Sequence, residues 1–179
     1  MAFLRGDEDG STDAERRAHI DRAIELAPDR ARYHEVRAIF RIDHHDYAGA
    51  MSDLDTAITL EDRPYLRFLR GLTLCHRGEH ARAVTDFDHA IAHQPDNTQF
   101  YRGRALALIA VGRPADALLD ADRMIRDAPQ WGEPYFVRGE ALLALGRHAD
   151  AILAYDEALR RRPDLVYAWR ARADAEDER

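Results

Sequence analysis

Few side chains in this sequence are of types that could attack a substrate as a nucleophile. Such chemistry needs an activated Ser, Cys, Thr or Lys beside a base. The chain has no Lys, Ser52 has no neighbouring His, and the single cysteine, Cys75, is followed directly by His76. Adjacent residues of a helix point apart, so we interpret Cys75 as a small apolar filler. The sequence therefore predicts a protein that is not an enzyme.

Histidines offer the other candidate chemistry, a metal site. His89 and His93 are four residues apart and share one face of a predicted helix. A zinc site needs three or four converging ligands, and only two align here. The glycines are scattered, unlike those of a phosphate-binding loop. We predict neither a metal nor a cofactor; a metal-binding protein or an enzyme is the less favoured alternative.

Composition narrows the class of partner and the compartment. The 179 residues are 46% hydrophobic and 33% charged, with 26 basic residues, all Arg, against 33 acidic ones and a net charge of −7. This balance argues against nucleic acid and against an anionic membrane surface as partners. The single cysteine allows no internal disulfide. Residues 1–10 lack a signal peptide's apolar run, and no stretch approaches the ~20 apolar residues of a membrane span. We predict a cytoplasmic protein.

An internal repeat of 33–34 residues supplies the elements that would position these side chains. Four segments align: YAGAMSDLDTAITL from Tyr47, HARAVTDFDHAIAH from His80, PADALLDADRMIRD from Pro114 and HADAILAYDEALRR from His148. A fifth begins at Asp13, 34 residues before Tyr47. A period of this length indicates stacked helical hairpins.

Residue size recurs in register within these segments, as expected for one face of a packed helix. Two small columns flank a bulky one. The columns are Ala50, Ala83, Ala117 and Ala151; then Ile20, Leu54, Phe87 and Tyr155; then Ala23, Ala57, Ala90 and Ala158. In the third repeat Ala121 and Met124 exchange the two sizes. The pattern predicts that neighbouring helices approach closely at the small residues.

A further helix is predicted upstream of each segment. Its small column is Ala38, Gly71, Ala105, Gly139 and Ala173. Gly78, Gly112 and Gly146 fall at the corner between the two helices, where a left-handed backbone favours Gly, and His45 takes this place in the first hairpin. Four prolines, Pro28, Pro95, Pro129 and Pro163, follow the downstream helices and stop them.

A hairpin with this small, large, small and Pro pattern resembles the tetratricopeptide repeat, from about Asp13 to about Ala175. The resemblance implies an all-α fold, a right-handed superhelix (α-solenoid) of tandem helix-turn-helix repeats. We expect a mobile lead-in at residues 1–12 and a repeat domain at 13–179, whose last helix uses Trp169 to cover the apolar end of the fourth repeat. The parts of this domain are an N-terminal helix at 13–29, repeats at about 31–63, 64–97, 98–131 and 132–165, and a capping helix at 166–179.

Charged residues also recur in register. The arginines are Arg37, Arg70, Arg104, Arg138 and Arg172, and the aspartates of the downstream helices are Asp21, Asp55, Asp88, Asp122 and Asp156. Asp53, Asp86 and Asp120 recur two positions earlier. We predict a structural ladder in which each Arg pairs with an aspartate of its own or the adjacent repeat. The alternative is that the Arg column holds an acidic partner.

The resemblance further implies a groove lined by the first helix of each repeat, in which a protein or peptide segment lies. The predicted groove residues are Arg32, Tyr65, Phe68, Leu72, Arg102, Phe136, Glu140 and Arg170, with Glu35 beside them. Exposed aromatic and arginine side chains often mark binding surfaces. The sequence thus predicts an interaction scaffold. The alternative is that Phe68 and Phe136 pack between helices.

Co-chaperone members of this family hold a terminal carboxylate with Lys and Asn side chains. At the corresponding positions this chain has Glu35, Ile39, Leu69, Gln99 and Gly103, so a heat-shock-chaperone C-terminus is not the expected ligand. A secretion-type chaperone and a self-association module, such as an end-to-end homodimer, are the alternatives. The chain could also be one module of a larger assembly.

Overall fold

Ten α-helices follow one another along residues 12–177, the part of the chain that the computed structural model describes, and this part contains no strand. The predicted lead-in lies outside the described residues except for Thr12, which is the N-cap of the first helix. The helices are α1 (Asp13–Leu26), α2 (Ala31–Asp43), α3 (Tyr47–Leu60), α4 (Pro64–His76), α5 (His80–His93), α6 (Thr98–Ala110), α7 (Pro114–Asp127), α8 (Gly132–Ala144), α9 (His148–Arg161) and α10 (Val166–Asp177).

The chain divides into two compact units, residues 1–66 and 67–179, with the division in the first turn of α4. In the first unit, α2 contacts both α1 and α3. In the second, each helix from α5 to α10 contacts the next one. The first helices of neighbouring repeats also meet, since α6 contacts α8 and α8 contacts α10. This is the all-α tandem helical repeat, or solenoid, that the sequence predicts. None of the helices described is long and apolar enough to cross a membrane.

Small and bulky residues interlock as the columns predict. The Phe87 ring is fully buried between Gly71 of α4 and Gly103 of α6, and a Cβ on either glycine would lie under 3 Å from the ring. In the fourth repeat Gly139 accommodates the buried ring of Tyr155 in the same way. The first small column, Ala50, Ala83, Ala117 and Ala151, is completely buried.

The corners between paired helices have the predicted left-handed backbone. The φ angles are 76° at Gly78, 76° at Gly112 and 71° at Gly146. His45 occupies the same corner with a φ of 60°, a conformation that costs about 1–2 kcal/mol for a residue with a Cβ. Its Nδ1 lies 2.9 Å from the Tyr47 hydroxyl, a contact that glycine could not make.

The prediction that Trp169 covers the end of the fourth repeat is wrong. Its side chain is 53% exposed, while Ala168 and Ala175 are the buried residues of α10. The Trp169 indole N–H instead donates to the carbonyl oxygen of Pro163, six residues earlier, at 3.0 Å. Tyr135 at the same position of α8 donates to the Pro129 carbonyl oxygen at 3.2 Å. This position therefore fastens a first helix to the turn that precedes it.

Candidate functional site

The arginine ladder of the first unit converges on one buried carboxylate. Arg37 of α2 donates to Asp53 of α3 at 2.7 Å and to Asp21 of α1 at 2.9 Å. Arg41, one turn further along α2, donates to the other Asp53 oxygen at 2.7 Å. These contacts, first of all that with Asp53, raise the pKa of the Arg37 guanidinium above its usual range. The network joins three helices, and Arg37 is paired with carboxylates of two of them.

In the second unit the same geometry repeats at a spacing of sixteen residues. Arg104 donates to Asp120 in its own repeat and to Asp88 in the preceding one, each at 2.6 Å. The remaining contacts are Arg70 to Asp86 at 2.7 Å, Arg138 to Asp122 at 3.2 Å and Arg172 to Asp156 at 2.5 Å. Asp86 and Asp120 are buried, so the arginines that face them neutralise charges inside the fold. Asp55, at the equivalent place on α3, is exposed.

Glu35 does not lie on an open groove, contrary to the expectation. It is completely buried, and its carboxylate accepts hydrogen bonds from Arg63 at 2.5 Å and from Arg32. The two guanidiniums compensate the cost of burying its charge. Tyr65 remains partly exposed, and its pKa is raised by burial and by the nearby Glu35 charge. Of this group, Arg32 and Tyr65 are exposed and Arg63 is half-buried.

Phe68 and Phe136 both pack between helices and keep part of their surface exposed. The Phe68 ring centre lies 5.1 Å from that of Phe100 on α6. The Phe136 ring centre lies 4.6 Å from that of Tyr167 on α10, edge to face. Such pairs fix the orientation of the rings. A rigid, half-exposed aromatic ring can offer contact area to a ligand at little entropic cost.

The polar residues predicted for this surface differ in whether their side chains have a hydrogen-bond or ion-pair partner. Glu140 accepts a hydrogen bond from the buried Tyr155 hydroxyl at 2.7 Å, so its carboxylate has a partner within the fold. Arg170 is 86% exposed and only approaches Asp174, at 3.9 Å. Arg102 is half-buried and forms no ion pair or hydrogen bond with any residue in the range 12–177. Leu72 is half-buried on α4.

The chain's candidate chemical groups are poorly suited to catalysis. Burial raises the pKa of the Cys75 thiol to about 11, so the thiolate is scarce at neutral pH. The His89 and His93 rings stack with their centres 4.2 Å apart. Within residues 12–177, no three His, Cys, Asp or Glu side chains are grouped so as to hold a metal ion.

A cavity of about 470 Å³ lies in the first unit between α1 and α2. Ala14, Ala18 and Phe40 form its apolar part, and Arg37 and His44 stand among the charged residues around it. Both of these side chains contact aspartates of α1, a helix that has no buried residue. We therefore regard the cavity as a packing feature.

Comparison with known proteins identifies the repeat. Two tetratricopeptide repeat family models match the sequence, one over residues 68–130 and the other over residues 132–165. No curated protein matches it.

Several solved structures share the fold. The crystal structure of YrrB, described as a TPR protein with an unusual peptide-binding site, matches with a TM-score of 0.76 and 18% identity over 87% of this chain and 81% of YrrB. MamA from Desulfovibrio magneticus RS-1 matches with a TM-score of 0.70 and 17% identity over 83% of this chain and 90% of that one. The two family matches together span more than half of the sequence, and the chain belongs to the tetratricopeptide repeat family.

Proposed function

We propose that this protein is a non-enzymatic scaffold that binds an extended segment of another protein along the first helices of its repeats. Tetratricopeptide repeat proteins are in general protein-interaction scaffolds, which supports the class of function. In the second unit the surface is the exposed side of α4, α6, α8 and α10, named here the first-helix face. In the first unit, Arg32 and Tyr65 would contribute in the same way.

One observation carries the proposal: partly exposed apolar side chains line the first-helix face on helices that touch one another. They are Phe68 and Leu72 on α4, Leu106 on α6, Phe136 on α8 and Tyr167 on α10. Aromatic residues held in fixed orientations contribute strongly to interface energies. YrrB, which shares the fold, is described as having a peptide-binding site, and a peptide is the ligand proposed here.

Charge and composition favour a protein partner in the cytoplasm. The net charge of −7 opposes binding to polyanions such as nucleic acid and anionic lipid. A secretion-type chaperone would use the same face for an extended segment. Self-association would fill that face with a second copy of the chain, and the experiment below separates this alternative from a foreign partner.

The test compares one triple variant with one double variant, and both replace exposed apolar side chains by serine. Tyr65→Ser, Leu106→Ser and Tyr167→Ser together remove apolar surface from first helices. Leu119→Ser with Leu153→Ser removes it from second helices α7 and α9, where the two leucines are 67% and 66% exposed. Circular dichroism first establishes that both variants are folded.

Affinity capture from a lysate of the source organism then compares these variants with the wild type, and light scattering gives the mass of each. We expect a monomeric wild type whose retained protein is lost by the first-helix variant and kept by the second-helix control. Retention of the same proteins by both variants, or no retention by the wild type, would contradict the proposal. A wild-type dimer that the first-helix variant dissociates would favour self-association.

A further inference from the structure

Arginine and phenylalanine alternate along the first-helix face. The fifth residue of each first helix is Phe68 on α4, Arg102 on α6, Phe136 on α8 and Arg170 on α10, and each is 34 residues after the previous one. Because the four helices begin 34 residues apart, these positions share one register and one face. Phe68, Arg102 and Phe136 are half-buried and Arg170 is exposed.

The four positions form a continuous row because the helices that carry them are in contact. Phe68 packs against Phe100 of α6, with ring centres 5.1 Å apart. Helix α6 contacts α8 directly. Phe136 packs against Tyr167 of α10 at 4.6 Å. Each arginine of the row therefore stands beside a helix that presents an aromatic ring.

Among residues 12–177, Arg102 lacks the carboxylate partner that the ladder arginines possess. The first helix of the next repeat, α8, contacts α6 and carries two glutamates, and both have partners. Glu133 is paired with Arg162, and Glu140 accepts a hydrogen bond from the Tyr155 hydroxyl. Burial and the Glu133 charge raise the pKa of Tyr167, and the Arg102 charge opposes them. A carboxylate supplied by a ligand would complete this site.

The spacing of the row fixes the spacing expected in a ligand. Axes of packed helices are about 8–10 Å apart. A chain in the polyproline II conformation advances about 3.1 Å per residue and brings every third side chain to the same face. Side chains that contact neighbouring positions of the row are therefore about three residues apart in a ligand of this conformation.

We propose, building on the proposed function, that the partner segment is an extended peptide in the polyproline II conformation, in which apolar and acidic residues alternate at intervals of about three. An Asp or Glu pairs with Arg102, and apolar side chains three residues before and after it contact Phe68 and Phe136. A second acidic residue, three positions further on, pairs with Arg170. The apolar contacts supply affinity and the arginines select the sequence.

Selection from a phage-displayed library of random dodecapeptides tests the proposal. The bait proteins are the wild type, Arg102→Glu and the control Arg126→Glu. Arg126 on α7 is exposed and, like Arg102, makes no ion pair or hydrogen bond with the described residues. The control thus makes the same charge change on a second helix.

The wild type and Arg126→Glu should select peptides enriched in Asp or Glu flanked by apolar residues at the stated interval. Arg102→Glu should lose the acidic preference and gain Lys or Arg at that position. A labelled peptide of the selected consensus should bind Arg102→Glu about tenfold more weakly than wild type, because attraction becomes repulsion at a half-buried site. Its binding to Arg126→Glu should be unchanged.

Failure of the proposed ligand sequence can be distinguished from failure of peptide binding. If the acidic preference persists in Arg102→Glu, or if the wild type selects peptides without one, the proposed ligand sequence is wrong while peptide binding stands. If the wild type selects no peptide, or if the triple Tyr65, Leu106 and Tyr167 variant selects the same peptides, binding on the first-helix face is itself contradicted.

Discussion

Single residues of this protein are constrained most clearly where an aromatic ring meets a glycine. A Cβ placed on Gly139 would lie 2.3 Å from the Tyr155 ring. The ring cannot yield easily, because it is fully buried and its hydroxyl donates to Glu140. Glycine is less favourable than alanine inside a helix, but here it allows α8 and α9 to approach closely.

Gly139→Ala should lower the free energy of unfolding by about 1–3 kcal/mol, because the added methyl group forces the ring or a helix to move. Urea denaturation measures this. In a Tyr155→Leu background the same substitution should cost clearly less, since the clashing atoms are gone. Equal costs in the two backgrounds would show that the loss has another origin.

Cys75 should react slowly with alkylating reagents. At its pKa of about 11, roughly 0.1% of the thiol is ionised at pH 8, against about a quarter of an ordinary cysteine. Iodoacetamide should therefore modify Cys75 at least tenfold more slowly in the folded protein than in the urea-unfolded protein, because the loss of thiolate outweighs the higher nucleophilicity of a more basic thiolate. Comparable rates for the folded and the unfolded protein would contradict the raised pKa.

The sequence predicts repeating positions better than individual exceptions to them. Glu35 shares its position with Phe68, Arg102 and Phe136, and the family resemblance, applied in register, predicted it to lie on the ligand-binding surface. Its burial depends on Arg32 and on Arg63, the latter 28 residues away and outside the repeated columns. Likewise, Trp169 donates to the backbone carbonyl of Pro163, and the only trace of this bond in the sequence is a ring that recurs six residues after a proline, as at Tyr135 and Pro129.

At the scale of elements, α1 is held differently from the other helices. It has no buried residue, and its contacts with α2 include two charged links, Asp21 to Arg37 and Asp13 to His44. The Asp13 carboxylate accepts from His44 Nε2 at 3.0 Å. This contact raises the pKa of His44 and lowers that of Asp13.

The contact makes the docking of α1 dependent on pH. The contribution of His44 is fully present below its unfolded pKa of about 6.5 and is lost as pH rises through the higher folded value. The contribution of Asp13 is present above about pH 3.9 and is lost as pH falls through its lower folded value. Both favour docking of α1 between about pH 4 and 6.5.

Amide protection factors in α1, measured by hydrogen exchange, should therefore be higher at pH 6 than at pH 8. His44→Asn should abolish this difference. His19→Asn, which removes an exposed histidine of α1 itself, should preserve it. A pH dependence that survives in His44→Asn would show that the effect does not come from His44.

The residues at the corners allow the order of the helices to be predicted from the sequence. Gly78, Gly112 and Gly146 mark three corners because only a left-handed backbone closes them without strain. The fourth corner, at His45, breaks the residue rule while keeping the conformation, and the 33–34-residue period located it. The period thus predicts the helices even where a marker residue is replaced.

At the scale of the whole chain, the charged ladder contains two kinds of arginine. Arg104 faces Asp120, whose side chain is 5% exposed, and Asp88 of the preceding repeat. Arg138 faces only Asp122, and both side chains of that pair are about 40% exposed. In the fourth repeat Ala154 stands where earlier repeats place the buried aspartate, so Arg138 has no buried charge to neutralise.

This difference predicts that replacing Arg104 and Arg138 by leucine lowers the free energy of unfolding by unequal amounts. Arg104→Leu should lower the free energy of unfolding by about 3 kcal/mol, because it leaves the buried Asp120 carboxylate without its guanidinium. Arg138→Leu should cost less than about 1 kcal/mol, the range of exposed ion pairs. Adding Asp120→Ala to Arg104→Leu removes the unpaired buried carboxylate, in a position where the fourth repeat also has an alanine, Ala154, and should restore most of the lost stability. Equal costs for the two leucine variants, or no recovery in the double variant, would mean that the ladder is a solvated stripe of charges and that the apolar columns alone hold the repeats together.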